Sequence, residues 1–151
     1  MNSVKYPEKQ NQTYSPELSP KKLSALKILA IDDEEIMGYL IQRIIKHLGH
    51  SVDWVTNFEL ALQKINQEDY DVILSDYKMP SMSGDMFYKK IIKLEKSLED
   101  RLIFITGDTV NQKTQRFLKS IKVPYLSKPF NIDELNNTIQ NVASKSVATE
   151  Q

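Results

Sequence analysis

Four short apolar runs in this chain each end on polar residues suited to chemistry. Lys27-Ile28-Leu29-Ala30-Ile31 leads into Asp32 and Asp33, and Asp71-Val72-Ile73-Leu74-Ser75 into Asp76. Arg101-Leu102-Ile103-Phe104-Ile105 leads into Thr106, and Val123-Pro124-Tyr125-Leu126-Ser127 into Lys128. Nearly continuous apolar runs, rather than alternating ones, are the pattern of parallel strands buried on both faces. Parallel strands point the same way, so the residues that follow them gather along one edge of the sheet, where open α/β sheets hold their ligands. Three carboxylates, a hydroxyl and an ammonium are therefore expected to meet in one crevice.

The intervening segments carry helical spacing. After Asp33, Ile36, Leu40, Ile44 and Leu48 recur beside Met37, Ile41 and Ile45, and the stripe stops at Gly49, a natural helix terminator. Ser51 to Val55 reads as a further strand, and Phe58, Ala61, Leu62 and Ile65 mark a second helix. A third helix follows Gly84 with Phe87, Ile91 and Leu94, and a fourth is expected from about Thr109 to Ser120 with Val110, Phe117 and Leu118 inward. Asn131 is placed to cap a last helix that presents Ile132, Leu135, Ile139 and Val142 on one face. Strands alternating with helices imply an α/β fold, a doubly wound five-stranded parallel sheet with helices on both faces and right-handed crossovers.

The crevice has a coherent chemistry. Clustered carboxylates repel one another, and a divalent cation offsets that repulsion. Mg²⁺ typically takes one or two carboxylates, several waters and a phosphate oxygen. A lysine and a hydroxyl can then neutralise and orient phosphoryl oxygens, since positioning and electrostatics dominate phosphoryl transfer.

The segments Asp32-Asp33-Glu34, Asp76-Tyr77-Lys78-Met79-Pro80-Ser81-Met82-Ser83-Gly84, Thr106-Gly107-Asp108 and Lys128-Pro129-Phe130 together resemble the receiver domain of two-component response regulators. The resemblance covers about residues 25–143 and implies the flavodoxin-like strand order 2-1-3-4-5. It makes Asp76 the phosphoacceptor, and Asp32 and Asp33 the acidic pair that holds Mg²⁺ together with Asp76 and the backbone carbonyl of Lys78. Lys128 would pair with the phosphoryl group, and the Lys128-Pro129 peptide would be cis. Thr106 and Tyr125 would form a switch, the hydroxyl moving to the phosphoryl oxygen and the aromatic ring turning into the space left. Lys78 and Asp108, two positions after Asp76 and Thr106, would tune the lifetime of the phosphoryl group. Their opposite charges are expected to pair across the mouth of the site and slow hydrolysis.

Composition narrows the partners. Basic and acidic residues balance at 20 each, so no global field draws the chain to nucleic acid or to a membrane surface. With Cys 0 there is neither a disulfide framework nor a thiol nucleophile, which suits a reducing compartment. No apolar stretch approaches the roughly 20 residues of a membrane span, and the cytoplasm is the expected location. Residues 1–24 hold Pro7, Pro16 and Pro20 among polar residues and read as a disordered tail or linker, in which Tyr6 and Tyr14 are available for docking. Residues 144–151 read as a short C-terminal tail.

The expected function is a single-domain response regulator, a phosphoacceptor rather than an enzyme. It would receive its phosphoryl group from a histidine kinase or histidine phosphotransfer protein, and signal to a downstream protein through the surface of the fourth helix, fifth strand and fifth helix. The competing reading is the C-terminal receiver of a hybrid histidine kinase in a phosphorelay. A phosphatase with an aspartate nucleophile fits poorly, because the position of its usual general acid is held by Lys78. His47 and His50 are expected to be solvated, and Trp54 has no assignment.

Overall fold

A five-stranded parallel sheet in the order 2-1-3-4-5 forms the centre of the molecule. The structure, a computed structural model, describes residues 25–108 and 110–149, the last four as backbone. The expectations for residues 1–24 lie outside these. In chain order the elements are β1 (Lys27–Ile31), α1 (Glu35–His47), β2 (Ser51–Val55), α2 (Phe58–Gln67), β3 (Val72–Asp76), α3 (Gly84–Leu94), β4 (Leu102–Thr106), α4 (Gln112–Ser120), β5 (Tyr125–Ser127) and α5 (Ile132–Thr149).

Strand alternation sorts the core into two layers. Leu29, Ile31, Ile73, Leu102 and Phe104 face α2, α3 and α4, meeting Phe58, Ala61, Phe87, Ile91 and Leu118. The intervening residues Ile28, Ala30, Val72, Leu74, Ile103 and Ile105 face α1 and α5, meeting Ile41, Ile45, Leu135, Ile139 and Val142. Both faces of β3 and β4 are covered, which is why their sequences are apolar without alternation. Phe58 and Phe87, both fully buried, stack with ring centroids 4.2 Å apart and tie α2 to α3. The bulk of Phe58 thus finds its partner in that layer.

Helix ends follow local chemistry. Gly49 takes φ +91°, and the N–H groups of Gly49 and His50 return to the carbonyls of Lys46 and Ile45, closing α1 with a left-handed turn. Asn57 caps α2 by accepting the N–H of Leu60 at 2.8 Å. Asn131 caps α5 by accepting the N–H of Glu134 at 2.8 Å, while its own amide donates to the Glu134 carboxylate.

Several expectations are corrected. α4 starts at Gln112, because the side chain of Asn111 accepts the N–H groups of Lys113 and Thr114 and so sets the cap there. Val110 precedes that cap and is 88% exposed instead of inward. β5 spans Tyr125–Ser127, shorter than the run from Val123, since Pro124 has no N–H for the ladder, although its carbonyl still accepts from Phe104. The boundary expected at residue 143 falls inside α5, which continues to Thr149 past the buried Val142 and Ala143. On α1, Gly38, Ile41 and Ile45 form the buried sector; Ile36 (86% exposed) and Leu40 lie outside it. Leu94 and Ile132 are also exposed. A short 3₁₀ segment at Lys96–Arg101, unforeseen in the sequence, buries Leu98 between α3 and β4.

His50 is a further correction. It is buried, its Nδ1 accepts the N–H of Leu26 at 3.0 Å, and burial pushes its pKa below the usual histidine value. The close turn at Gly49 carries it inward; His47 stays exposed.

Candidate functional site

The acidic cluster is assembled from the ends of two adjacent central strands. β1 and β3 pair in register Ile31↔Ser75, so the residues that follow, Asp32 and Asp76, leave the sheet side by side. Oxygens of Asp32, Asp33 and Asp76 all lie within 4.8 Å of one another. Lys128, arriving from β5, sets its Nζ 3.3 Å from Asp76 Oδ2 and 3.8 Å from Asp32 Oδ2. The Lys128-Pro129 peptide is cis, as the resemblance implied.

Burial gives these charges their character. Asp32 is 1% exposed and Asp76 is also buried, whereas Asp33 reaches solvent. Loss of water pushes the Asp32 carboxyl up to about 6, offset by the N–H of Glu34 bonded to Oδ1 and raised further by Asp76. Burial also raises Asp76, while Lys128 and the backbone N–H of Lys78 act against it. The donor set is thus all carboxylate oxygen, crowded, and short of positive charge beyond one ammonium. That is the chemistry of a hard divalent cation site, and Mg²⁺ fits it.

These energetics carry a prediction. Asp32→Asn keeps the acceptor for Glu34 and removes a buried charge whose pKa is raised, so the ionised form costs stability at any pH above about 6. The variant should gain about 1–3 kcal/mol in Mg²⁺-free buffer at pH 7, a gain that fades as pH falls toward 4 and the wild-type carboxyl takes up its proton. Urea unfolding at pH 7 and pH 4 reads it directly. A variant less stable than wild type at pH 7 would mean that Asp32 is net stabilising.

Thr106 ends β4 and is buried; its Oγ1 accepts the N–H of Asp108 at 3.1 Å, which leaves the hydroxyl hydrogen for another acceptor. Phe104 pairs with Tyr125 and Thr106 with Ser127, so Tyr125 sits diagonally from Thr106 on the same face of the sheet. Tyr125 is 40% exposed. The expected pairing of Lys78 with Asp108 is not formed: Lys78 is exposed, and the Asp108 carboxylate turns back to accept the N–H of Asn111 at 3.2 Å. No ion pair among the described residues joins the two.

Two residues not assigned from sequence support the site. Trp54 of β2 donates its indole N–H to the backbone carbonyl of Asp32 at 2.9 Å. Tyr77, directly after Asp76, is buried, donates its N–H to Ile105, accepts the N–H of Gly84 and packs edge-on against Phe104. A side chain on Gly84 would meet that ring at 2.4 Å, which explains the glycine at the start of α3. The nearest sequence signal for Trp54 was a lone indole on an outer strand; its partner, a backbone carbonyl, leaves no mark in sequence.

A doubly wound parallel sheet with an acidic cluster and a lysine at the carboxyl ends of its strands defines the receiver class. The response regulator receiver family model matches residues 28–140, and the chain belongs to that family. Among curated proteins it is 27% identical over 124 residues to a probable transcriptional regulator of Porphyra purpurea, covering 82% of this chain and 59% of the relative. It is 32% identical over 130 residues to the hybrid signal transduction histidine kinase L of Dictyostelium discoideum, covering 82% of this chain and 8% of the relative. The chain therefore spans less than two thirds of either relative. Among solved structures, the receiver domain of a sensor histidine kinase from Pseudomonas aeruginosa, with a magnesium ion in its active-site cleft, superposes with TM-score 0.72 at 24% identity, covering 80% of this chain and 99% of that one. No helix among the described residues is long and apolar enough to cross a membrane.

Proposed function

We propose that this receiver accepts a phosphoryl group from a phosphohistidine onto Asp76 in a Mg²⁺-dependent reaction, acting as a phosphoacceptor that assists its own modification rather than as an enzyme with a separate substrate. The observation that carries this reading is the cluster of Asp32, Asp33 and Asp76 oxygens within 4.8 Å, with Lys128 at 3.3 Å from Asp76. Asp32, Asp33 and Asp76 would hold the ion, with the Lys78 carbonyl as a further ligand; bound Mg²⁺ neutralises charge on the incoming phosphoryl oxygens. An Asp76 oxygen attacks phosphorus, the new O–P bond forms as the N–P bond of the donor breaks, and the electron pair remains on the imidazole nitrogen. Lys128, already beside Asp76, exchanges part of its interaction with the carboxylate for one with the transferred group.

The donor is a histidine kinase or a histidine phosphotransfer protein. A cleft of about 390 Å³ beside Lys128, lined in part by Met37, Leu40 and Ile44 of α1 and by Phe130, offers apolar surface for a protein donor at the mouth of the site. The similarity to a hybrid kinase favours a second setting for the same chemistry, a receiver within a phosphorelay. Location in the cytoplasm accords with either.

Incubation with acetyl phosphate and Mg²⁺ should add one phosphoryl group by intact mass, and chelation of the metal should prevent it. Labelling that survives chelation would remove the metal from the mechanism.

Signalling is proposed to run through Thr106 and Tyr125 to the surface of α4, β5 and α5, where a downstream protein binds. The Thr106 hydroxyl has a hydrogen to give to a phosphoryl oxygen, and Tyr125 lies exposed on the neighbouring strand with room to move. Thr106→Ala should leave Mg²⁺ binding intact and weaken the NMR shifts that beryllofluoride induces in α4 and β5, since a ligand shifts an equilibrium only through contacts that differ between its states. Equal shifts in both proteins would show that the hydroxyl transmits nothing.

A further inference from the structure

Three consecutive peptide units carry the acidic pair, and each is pinned differently. The first is held by the N–H of Asp32, which donates to the Val55 carbonyl at 3.1 Å. The third is held by the N–H of Glu34, bonded to Asp32 Oδ1 at 2.9 Å. The middle unit, joining Asp32 to Asp33, is held at its carbonyl by the indole N–H of Trp54 at 2.9 Å. Rotation about that unit changes ψ of Asp32 and φ of Asp33, so it re-aims the Asp33 carboxylate relative to Asp32 and Asp76. Among the described residues the Asp33 side chain has no hydrogen bond of its own, so nothing but the backbone fixes the point and the Cα–Cβ direction from which its carboxylate extends toward Asp32 and Asp76.

The indole is itself fixed. Trp54 pairs with Ala30 across β1 and β2 and points to the α1 side of the sheet, among the residues packed there. It reaches along β1 to the carbonyl of Asp32 while its ring lies against the first turn of α1 at Gly38. A Cβ at Gly38 would sit 2.1 Å from the ring, so the indole fills the volume that a side chain at that position would claim. Gly38 and Trp54 act as a matched pair: the helix gives up a side chain, and the ring is wedged where its N–H meets the acidic loop.

We infer that Trp54 is a positioning residue for cation binding, its indole N–H fixing the peptide between Asp32 and Asp33 so that the two carboxylates converge. This rests on the metal-dependent reading above. Groups that orient metal ligands from behind change affinity by roughly 10–100-fold when removed.

The test uses the full chain and magnesium chloride as the titrant. Trp54→Phe keeps an aromatic ring and loses the N–H. Calorimetry should show Mg²⁺ binding weakened roughly tenfold, the lower end of what such orienting groups contribute. At saturating Mg²⁺ the rate of labelling by acetyl phosphate should return to the wild-type value, a split between affinity and rate that a general loss of packing would not produce. In the unaltered protein, the indole N–H resonance of Trp54, the only tryptophan in the chain, should move on Mg²⁺ addition with the midpoint found by calorimetry. A folded Trp54→Phe protein with wild-type affinity overturns the inference and leaves the phosphoacceptor reading standing. If that variant does not fold, an indole resonance that stays still while the wild type binds Mg²⁺ overturns it equally. Wild-type protein that binds no Mg²⁺ overturns both readings.

Discussion

Asp76→Asn should take up no phosphoryl group from acetyl phosphate or from a phosphohistidine donor, while its fold and its thermal stability are retained. The side chain is buried at the end of β3 with Lys128 at 3.3 Å, so it is the carboxylate toward which the ammonium is already directed. The amide matches the carboxylate in shape and can still accept a hydrogen bond from Lys128. It is a poor nucleophile, and it removes one of the three charges that draw the cation. The expected effect is complete loss, not a fractional one, because covalent transfer has no second acceptor in the same geometry: Asp32 is tied to the N–H of Glu34 and Asp33 faces solvent. Intact mass and peptide mapping check it. A phosphoryl group found at full stoichiometry on Asp32 or Asp33 of the variant would move the nucleophile and change the reading of the cluster.

The largest effect on stability is expected at Phe87. This ring is fully buried in the layer between the sheet and α2, α3 and α4, and stacks on Phe58 at 4.2 Å with an interplanar angle of 15°. Phe87→Ala removes the transfer free energy of the ring and leaves a cavity beside Phe58 within the buried layer, which the surrounding elements fill only in part. The cost should be about 3–5 kcal/mol. A domain of this size has roughly 5–15 kcal/mol in all, so the variant should sit close to the threshold of folding. Phe87→Leu, which refills part of the space, should recover a substantial share. Denaturant midpoints with an unchanged m-value would register the difference as native-state stability. A loss below about 1 kcal/mol would mean that α2 and α3 close over the gap, and that the stack is less constrained than its geometry suggests.

How much of this was legible beforehand differs from element to element. The strands, the end of α1 and the cap of α5 could be read because they depend on neighbours in sequence. An apolar run with polar ends can be satisfied by few structures other than a buried parallel strand, and Gly49 and Asn131 act on groups a few residues away. The convergence of Asp32, Asp76, Thr106 and Lys128 on one sheet edge followed from strand direction alone, before any distance was known. The strand order did not follow from periodicity, and came only with the resemblance carried by the four motifs.

Where the sequence reading failed, the deciding partner lay elsewhere in the chain or the competition was between nearby bonds. Val110 was placed inward by its spacing, but the Asn111 cap excluded it from the helix. Ile36 and Leu40 fit the helical stripe, yet only the sector of Gly38, Ile41 and Ile45 is buried against the sheet layer. Lys78 and Asp108 have complementary charges, but Asp108 satisfies itself locally at the N–H of Asn111. A bond formed within three residues orders little extra chain, whereas an exposed ion pair contributes only about 0–1 kcal/mol against the entropy of holding two side chains.

By itself, then, the sequence determined which segments are strands, where α1 ends and where α5 begins, and which ionisable groups share the carboxyl edge of the sheet. Those features arise from covalent neighbours and from strand polarity. Only the tertiary structure decided that Asp32 is buried with its pKa raised, that His50 is drawn inside to receive the N–H of Leu26, and that Trp54 spans from β2 to the peptide behind Asp33. Each of these depends on desolvation or on a hydrogen bond between residues more than twenty positions apart, and neither exists until the sheet has brought β1 and β2 together.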